Sequence, residues 1–234
     1  MKIVDKANLE FYETHLAEAD HIMPNVNTVR CDLWYFQKNR KPGKLMDFGF
    51  GYGQELLYFA DQGYDVYGLD VVQSAKDKID AHIAKNRPEL KDNITTAIMA
   101  ADATSLPYED ATFDFIHSNQ TMSHLPSGDA IKVVLNEWYR IMKPGGMFMF
   151  STMNPANTII QTGTLVGENL YESKYGAVGK GADGPKMTMH NYLMEDEASI
   201  RKMGDMFIVD EVGWFTNHYC GIDGTRWQVL GRKA

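Results

Sequence analysis

An acidic residue and a set of glycines at the end of the first predicted strand form the pattern with the clearest chemical meaning. The apolar strand at 44–48 contains Asp47 and is followed by three alternating glycines. Glycines at such a turn let the backbone fold tightly and let a ligand approach the main chain. Gln54 stands where a dinucleotide fingerprint would place its third glycine, so a rigid turn without a ligand is the alternative for this segment alone. The three glycines are Gly49, Gly51 and Gly53.

Two further acids follow the next two predicted strands. Asp70 lies twenty-one residues after Gly49, a position from which a carboxylate accepts hydrogen bonds from both ribose hydroxyls of an adenosine ligand. Asp102 follows the third strand. Because the carboxyl ends of parallel strands meet at the ligand-binding edge of an open α/β sheet, we expect Asp47, Asp70 and Asp102 to share that edge. Each acid taken alone is also explained as a helix cap or a solvent-exposed loop residue.

The elements that must position these residues follow an alternating pattern. Short apolar runs alternate with amphipathic stretches of helical length, which predicts a parallel sheet with helices on both faces. The breaker cluster at 143–146 separates the last of these helices from the strand after it. Strands are predicted at 44–48, 65–69, 95–100, 113–118, 147–151, 207–214 and 226–232, and helices at 54–61, 74–85, 128–142 and 195–203.

The remaining segments are interpreted as additions to one domain spanning residues 1–234. The first 40 residues predict two helices that form a cap, in which we expect Trp34, Tyr35 and Phe36 to pack onto the sheet. The insert is rich in glycine and has weak periodicity, as is typical of a lid over an active site. The predicted units are a cap at 1–40, a cofactor-binding core at 41–152, a lid-like insert at 153–193 and a C-terminal helix and hairpin at 194–234.

Composition narrows the class of protein. The 234 residues carry a formal net charge of −8, whereas nucleic-acid binding draws much of its affinity from positive charge. No run approaches the ~18 apolar residues of a membrane span, and the first residues lack the apolar core of a secretory signal, so we expect a cytoplasmic protein. Cys31 and Cys220 have no metal-ligand spacing, and no metal is expected. They are compatible with one long-range disulfide, although a reducing cytosol favours two free thiols.

Several of these motifs together resemble the class I S-adenosylmethionine (SAM)-dependent methyltransferases, and among them the small-molecule methyltransferase-domain (type 11-like) family. Residues 47–53 resemble that family's Asp-x-Gly-x-Gly-x-Gly loop. Residues 101–115 resemble its "gDa..lPf.d.sFD" segment, and residues 140–146 its "RvLKPGG" element. The resemblance runs in order from about residue 44 to 151. It implies an α/β fold: a doubly wound, mostly parallel, seven-stranded Rossmann-like sheet with an antiparallel C-terminal hairpin and a helical N-terminal cap.

The resemblance also implies a cofactor and its contacts. SAM is expected as the cofactor and S-adenosylhomocysteine (SAH) as the product. Asp70, with Val71 beside it, is expected at the ribose, and Asp102, with Ala103 beside it, at the adenine edge. Asp47 is expected to orient the glycine loop, which passes the methionine portion at Gly49, Gly51 and Gly53. Asn119 is expected near the sulfonium and Tyr12 over the amino-acid end.

The expected reaction is in-line methyl transfer to an oxygen or nitrogen acceptor on a small molecule held in a capped pocket. His124 follows the fourth strand and is a candidate base, with a packed structural histidine as the alternative. His190 and Tyr192 are candidate substrate contacts or ordinary lid residues.

Three other functions are compatible with parts of the pattern. One is a catalytically silent methyltransferase-like module that binds the cofactor or a partner. Another is a NAD-dependent oxidoreductase, which would carry the complete GxGxxG fingerprint. An RNA or protein methylase is disfavoured by the acidic balance.

Overall fold

The computed structural model describes residues 3–18, 23–176, 186–219 and 222–234 of the chain. Within them, the strands form one large sheet and two small ones. In chain order the strands are β1 (Lys44–Phe48), β2 (Asp65–Asp70), β3 (Ile94–Ile98), β4 (Phe113–Ser118), β5 (Met142–Met153), β6 (Thr164–Gly167), β7 (Leu170–Gly176), β8 (Lys186–Tyr192), β9 (Ile208–Phe215), β10 (His218–Tyr219), β11 (Ile222–Asp223) and β12 (Arg226–Arg232).

The large sheet has seven strands in the order β3-β2-β1-β4-β5-β12-β9. Neighbours from β3 to β5 run parallel, whereas β12 is antiparallel to both β5 and β9. This topology confirms the predicted mostly parallel sheet with an antiparallel C-terminal hairpin. The helices are α1 (Lys6–Glu18), α2 (Val26–Cys31), α3 (Gln37–Asn39), α4 (Gln54–Asp61), α5 (Gln73–Asn86), α6 (Gly128–Ile141), α7 (Thr158–Thr162) and α8 (Glu197–Met203), with a π-helical turn at Asp32–Phe36.

Helices cover both faces of the sheet because its strands are apolar on both sides. In β1, Leu45 packs with α4 and α5 on one face, and the next residue, Met46, packs with α6 on the other. The apolar stripe of α6 buries Trp138 completely, with its ring centroid 5.8 Å from that of Phe48. Ser127 caps this helix by accepting a hydrogen bond from the backbone N–H of Ala130. The sheet is therefore a rigid frame whose carboxyl-end loops carry the site.

The breaker cluster at 143–146 lies inside β5 and not ahead of it. Pairing with β4 begins at Met142, is interrupted by a register shift, and resumes at Met147. Gly145 has φ of 69°, a left-handed conformation that suits glycine. The cluster is therefore a bulge within a longer strand.

The insert contains regular structure that its weak sequence periodicity did not indicate. Strands β6, β7 and β8 form a three-stranded antiparallel sheet. The part of the predicted lid at 177–185 lies outside the described residues. The side chain of Asn8 on α1 is hydrogen-bonded to the backbone of His190 on β8. Its amide nitrogen donates to the His190 carbonyl at 2.9 Å, and its oxygen accepts from the His190 N–H at 2.7 Å. The insert and the N-terminal cap are thus joined directly.

The cap contacts the sheet through only part of its predicted aromatic cluster. Phe36 is fully buried and packs on Phe115, with 5.0 Å between ring centroids, but Trp34 is 72% exposed. Trp34 stands two residues before Phe36 in this helical turn, so the two side chains point to opposite sides of it. Cys31 is buried, and Cys220 lies outside the described residues. Within the described segments, no helix is long and apolar enough to cross a membrane.

Candidate active site

A cavity of about 660 Å³ opens at the carboxyl ends of β1, β2 and β4. Its volume lies within the range of roughly 300–1,000 Å³ that is usual for small-molecule sites. The cap closes one side of it through Phe11 and Tyr12. Of the residues predicted from sequence, those that line the cavity are Tyr12, Asp47, Gly49, Gly51, Asp70, Val71, Asn119 and His124.

The glycine loop follows β1 in left-handed conformations. Gly49, Gly51 and Gly53 have φ values of 77°, 52° and 79°. A Cβ on Gly49 would overlap the side chain of Thr121, whose Cβ it would approach to 2.8 Å. Gly53 precedes α4 and packs against Ile79, so it joins the loop to the helix. It does not line the cavity. At Gly49 the loop thus has no room for a side chain against the loop that follows β4.

Asp70 organises the loop as well as facing the cavity. Its Oδ2 accepts a hydrogen bond from the Gly51 N–H at 2.9 Å. Its Oδ1 accepts from the N–H groups of Val71 at 2.7 Å and Val72 at 3.0 Å. Burial raises the pKa of this carboxyl to about 6 despite those three hydrogen bonds. Three of its roughly four acceptor positions are therefore used by the backbone.

Asp47 belongs to a buried polar chain that reaches the cap. Its Oδ1 lies 2.7 Å from Nδ1 of His117 on β4, and Nε2 of His117 lies 3.0 Å from Oγ1 of Thr28 on α2. All three side chains are buried. This arrangement fixes the Asp47 carboxylate near the end of β1, where it lines the cavity, and the orienting role expected of it stays a prediction.

Glu55 is a buried acid in the cavity wall that the sequence interpretation missed. It lies in the first turn of α4, only 3% exposed, and accepts hydrogen bonds from the Asn25 N–H at 3.2 Å and the Asn119 amide at 3.4 Å. Burial, with a smaller contribution from the charge of Asp47, raises the pKa of this carboxyl to about 7. An acid in the first helical turn is ordinarily an exposed partner of the helix dipole, so nothing in the local pattern indicated that Glu55 is buried.

The raised pKa of Glu55 makes the free energy of unfolding depend on pH. Because the folded state holds this proton more tightly than the unfolded state, the ionised group destabilises the fold increasingly as pH rises from about 4.5 to about 7. We expect Glu55→Gln to stabilise the ligand-free protein at pH 8 by about 3 kcal/mol and to change little at pH 5. Thermal melts at both pH values, with the exposed Glu109→Gln as the control, measure this. The prediction would be contradicted if the melting temperatures of wild type and Glu55→Gln changed with pH in the same way.

Tyr12 and His124 form a close pair in the cavity wall. The Tyr12 hydroxyl lies 2.5 Å from Nε2 of His124, and the two rings meet edge to face. Burial, together with the charge of Arg226, lowers the pKa of His124 to about 3. The imidazole is therefore neutral at physiological pH, with Nε2 available to accept the Tyr12 proton. Asn8 helps to hold the pair by donating to the backbone carbonyl of His124 at 2.9 Å.

A second group of cavity-lining residues comes from elements that follow α6 in the chain. Met153 ends β5, Ile159 is on α7, Met189 is on β8 and Arg226 begins β12. Three are apolar and one carries a permanent charge. All four come from the insert and the C-terminal strands, and none of them was predicted as a site residue, because their proximity depends on tertiary structure.

Besides Gly53, four predicted residues lie outside the cavity lining. Asp102 is exposed and Ala103 lies beside it in the turn after β3, where the Ala103 N–H donates to the carbonyl of Ala100. His190 contacts Asp5, with its Nδ1 2.9 Å from the carboxylate. Tyr192 is buried in the core on the α6 side of the sheet. The adenine and substrate roles given to these four therefore stay predictions, without support from the cavity geometry.

The central segment of the chain is similar to known proteins. A family model for a methyltransferase domain matches residues 46–150. Sterol 4-C-methyltransferase strm-1 of Caenorhabditis elegans is 30% identical over 105 residues, covering 44% of this chain and 29% of that protein. The malonyl-acyl-carrier protein O-methyltransferase of Salmonella typhimurium is 28% identical over 146 residues, covering 61% of this chain and 49% of that protein.

Solved structures match over a longer stretch. A SAM-dependent methyltransferase from Methanosarcina mazei superposes with a TM-score of 0.69 at 17% identity, covering 86% of this chain and 98% of that one. At such identity the likeness shows the fold alone. The chain spans less than half the length of the two curated relatives. The matched family segment ends at residue 150, ahead of the residues that form the second part of the cavity.

Proposed function

This chain contains a class I SAM-dependent methyltransferase domain, and we propose that the protein transfers a methyl group from SAM to a small molecule held beneath its N-terminal cap. The observation that carries the proposal is the arrangement of Asp70 and the glycine loop around one cavity. A NAD-dependent oxidoreductase is disfavoured, because β12 runs antiparallel between β5 and β9 and the glycine fingerprint is incomplete.

The residues around the cavity fit an adenosyl ligand. Asp70 is buried at the end of β2 and retains an acceptor position, which suits a ribose hydroxyl. The loop at Gly49 and Gly51 brings its main chain to the cavity without a side chain in between. Glu55 and Asn119 offer carboxylate and amide oxygens nearby, which suit the ammonium group of the methionine portion. We propose that these residues hold the cofactor.

Catalysis in this site rests on position more than on acid or base strength. When bound, SAM supplies an electrophilic methyl group on a sulfonium, which leaves as the neutral thioether SAH. The cap residues Phe11 and Tyr12 would exclude water and press the acceptor toward the methyl position. His124, neutral and hydrogen-bonded to Tyr12, would accept a proton through that hydroxyl as the acceptor atom forms its new bond.

The proposal also concerns which atom of the substrate accepts the methyl group. We propose oxygen or nitrogen on a small molecule, because a Tyr–His pair suits an acceptor that loses a proton. The two curated relatives are named for different acceptors, carbon of a sterol and oxygen of a malonyl group. Nucleic acid is a poor candidate acceptor, because the chain carries a net charge of −8.

Calorimetric titration with SAM, SAH and NADH tests the proposed function. We expect micromolar binding of both adenosyl ligands and none of NADH. Binding of NADH alone would contradict the proposal. Binding of SAM without SAH formation from any compound in a broad acceptor screen would identify a silent cofactor-binding module instead.

His124→Ala is expected to lower turnover by about 100-fold, because proton transfer by a positioned side chain contributes about that much. SAM affinity should stay within about threefold of wild type, since His124 lies beyond the glycine loop. The measurement is SAH formation with an acceptor from the screen, beside a SAM titration. His82→Ala, on α5 and outside this cavity, is the control. Unchanged turnover, with a lowered melting temperature, would identify His124 as a structural residue.

A further inference from the structure

We infer that Glu55 is a positioning residue that couples cofactor binding to docking of the N-terminal cap. In this coupling the ammonium group of the ligand displaces the proton of the Glu55 carboxyl, and the resulting carboxylate holds the start of α2 more strongly. The proton passes to the solvent, and no other bond is made or broken. The inference deepens the activity proposed above and rests on it, because the ligand is SAM or SAH.

Glu55 contacts the cavity on one side and the cap on the other. Its side chain lines the cavity and is only 3% exposed. Its Oε1 accepts a hydrogen bond at 3.2 Å from the backbone N–H of Asn25, the N-cap residue of α2. The same oxygen accepts from the side-chain amide of Asn119 at 3.4 Å. Asn25 and Met23 line the cavity as well, so the start of the cap helix forms part of the cavity wall.

A second polar connection joins α2 to the same wall. Oγ1 of Thr28 on α2 lies 3.0 Å from Nε2 of His117, whose Nδ1 lies 2.7 Å from Oδ1 of Asp47. Asp47 lines the cavity, and all three side chains are buried, so water does not readily replace these contacts. Both polar connections from this helix therefore end on acids that face the proposed cofactor.

The charged groups around Glu55 set the proton that the ligand displaces. Burial, together with the charge of Asp47 on β1, raises the pKa of Glu55 to about 7, against an opposing effect of His117 on β4. The carboxyl of the ligand-free protein is therefore mostly protonated at pH 6.5 and mostly ionised at pH 8. An ammonium group beside it favours the charged form and lowers its pKa.

Loss of this proton strengthens the contact with the cap. A hydrogen bond to an ionised acceptor is roughly twice as strong as one to a neutral acceptor, so the carboxylate holds the Asn25 N–H more tightly than the protonated acid does. Because coupling between two binding events is reciprocal, docking of α2 in turn favours the bound ligand.

The test counts the protons released when SAH binds, by calorimetry in buffers of different ionisation enthalpy. We expect Glu55 to release about 0.7 proton at pH 6.5 and about 0.1 at pH 8, the fractions in which a carboxyl with a pKa of about 7 is protonated. Desamino-SAH, in which hydrogen replaces the ammonium group, is the matched ligand and should leave Glu55 protonated. Asp70, with a pKa of about 6, supplies at most about 0.2 proton at pH 6.5 with either ligand.

Glu55→Gln removes the titrating group and keeps a side-chain oxygen that accepts from Asn25. At pH 6.5 its binding of SAH should release at least about 0.5 proton less than that of wild type. Hydrogen exchange at the same pH reports on the cap: SAH should slow the exchange of the amides at 23–31 about threefold more in wild type than in Glu55→Gln. The exposed Glu109→Gln is the matched control and should behave as wild type in both measurements.

Three results would overturn the coupling. Equal proton release with SAH and desamino-SAH does so in wild type alone, without reference to any variant. Equal release by wild type and Glu55→Gln does so because the proton then comes from another group. Equal protection of 23–31 in the two proteins does so because Glu55 would then bind the ammonium group without acting on the cap. Failure of wild type to bind SAH refutes the proposed function instead, so the two failures are distinguishable.

Discussion

Asp70→Ala is expected to weaken SAM binding by at least about 100-fold. Hydrogen bonds to a charged group contribute roughly 1.5–3 kcal/mol each, and the substitution removes the acceptor proposed for the ribose. It also releases the Gly51 N–H, which Asp70 holds at 2.9 Å, so the glycine loop loses its fixed position. Calorimetric titration of the purified variant with SAM measures both losses together.

Asp70→Asn separates the two losses. Its side-chain oxygen still accepts from the N–H groups of Val71 and Val72, but the amide nitrogen cannot accept from Gly51. We expect affinity between those of wild type and Asp70→Ala. Asp65→Asn is the matched control, because Asp65 begins the same strand at the opposite edge of the sheet and is remote from the cavity. An Asp70→Ala protein that binds SAM as wild type does would refute the ribose assignment.

The pKa of Asp70 gives this prediction a second, independent readout. Burial raises that pKa to about 6, so the carboxylate is ionised above pH 6 and protonated below it. A protonated acid loses most of its strength as an acceptor, and SAM affinity should therefore fall as pH decreases from 7 to 5. In Asp70→Asn this part of the pH dependence should be absent.

The parts of the fold that the sequence predicted are those in which local pattern and tertiary environment agree. The strand at Lys44–Phe48 and the helix at Gln54–Asp61 have the predicted bounds, because an apolar run ends at a glycine turn whose φ values suit no other residue. Strands β6 to β8 were missed. β6 is exposed along its whole length, so it lacks the alternation of apolar and polar residues that indicates a half-buried strand.

The parts of the site that the sequence predicted share one physical basis. Asp47 and Asp70 are each the last or next-to-last residue of a parallel strand, and topology alone brings such positions together. The same argument failed to bring Asp102 into the cavity wall, because β3 ends at Ile98 and the chain turns before reaching it. The position of a residue at the end of a strand is readable from the sequence pattern, but the path of a loop is not.

Glu55 and Arg226 were missed for a related reason. Each has an ordinary local explanation, as a first-turn helix acid and as the first residue of a strand. Only the packing of Asn25 against α4, and of β12 against β5, turns these side chains toward the cavity. Charged residues acquire their roles from burial, and burial belongs to the assembled fold.

Gly49→Ala is expected to abolish detectable SAM binding, the largest effect among single substitutions in the glycine loop. The added Cβ would overlap Thr121, and the backbone would be held at φ of 77°, where a side chain costs about 1–2 kcal/mol. Relief requires the loop after β1 to move away from the loop after β4, which separates the two walls proposed to hold the cofactor. Calorimetry with SAM and a thermal melt of the ligand-free protein measure the outcome.

Gly63→Ala is the matched control for Gly49→Ala. Gly63 also has a left-handed φ, 88°, but a Cβ there meets nothing within 4 Å. We therefore expect Gly63→Ala to lower the free energy of unfolding by about 1–2 kcal/mol, the backbone cost, without any change in SAM affinity. Thr121→Gly is the second variant to compare, since it removes the side-chain atoms that the Cβ added by Gly49→Ala would overlap.

The double variant decides what the glycine is for. If the overlap with Thr121 is the cause, Gly49→Ala with Thr121→Gly should regain SAM affinity relative to Gly49→Ala alone, with a coupling energy of roughly 1–3 kcal/mol in a double-mutant cycle. If affinity stays lost in the double variant, the methyl group itself obstructs the ligand, and Gly49 is required for close approach of the main chain. If Gly49→Ala binds SAM as well as Gly63→Ala does, the loop is not a cofactor-binding element, and the assignment of this cavity fails with it.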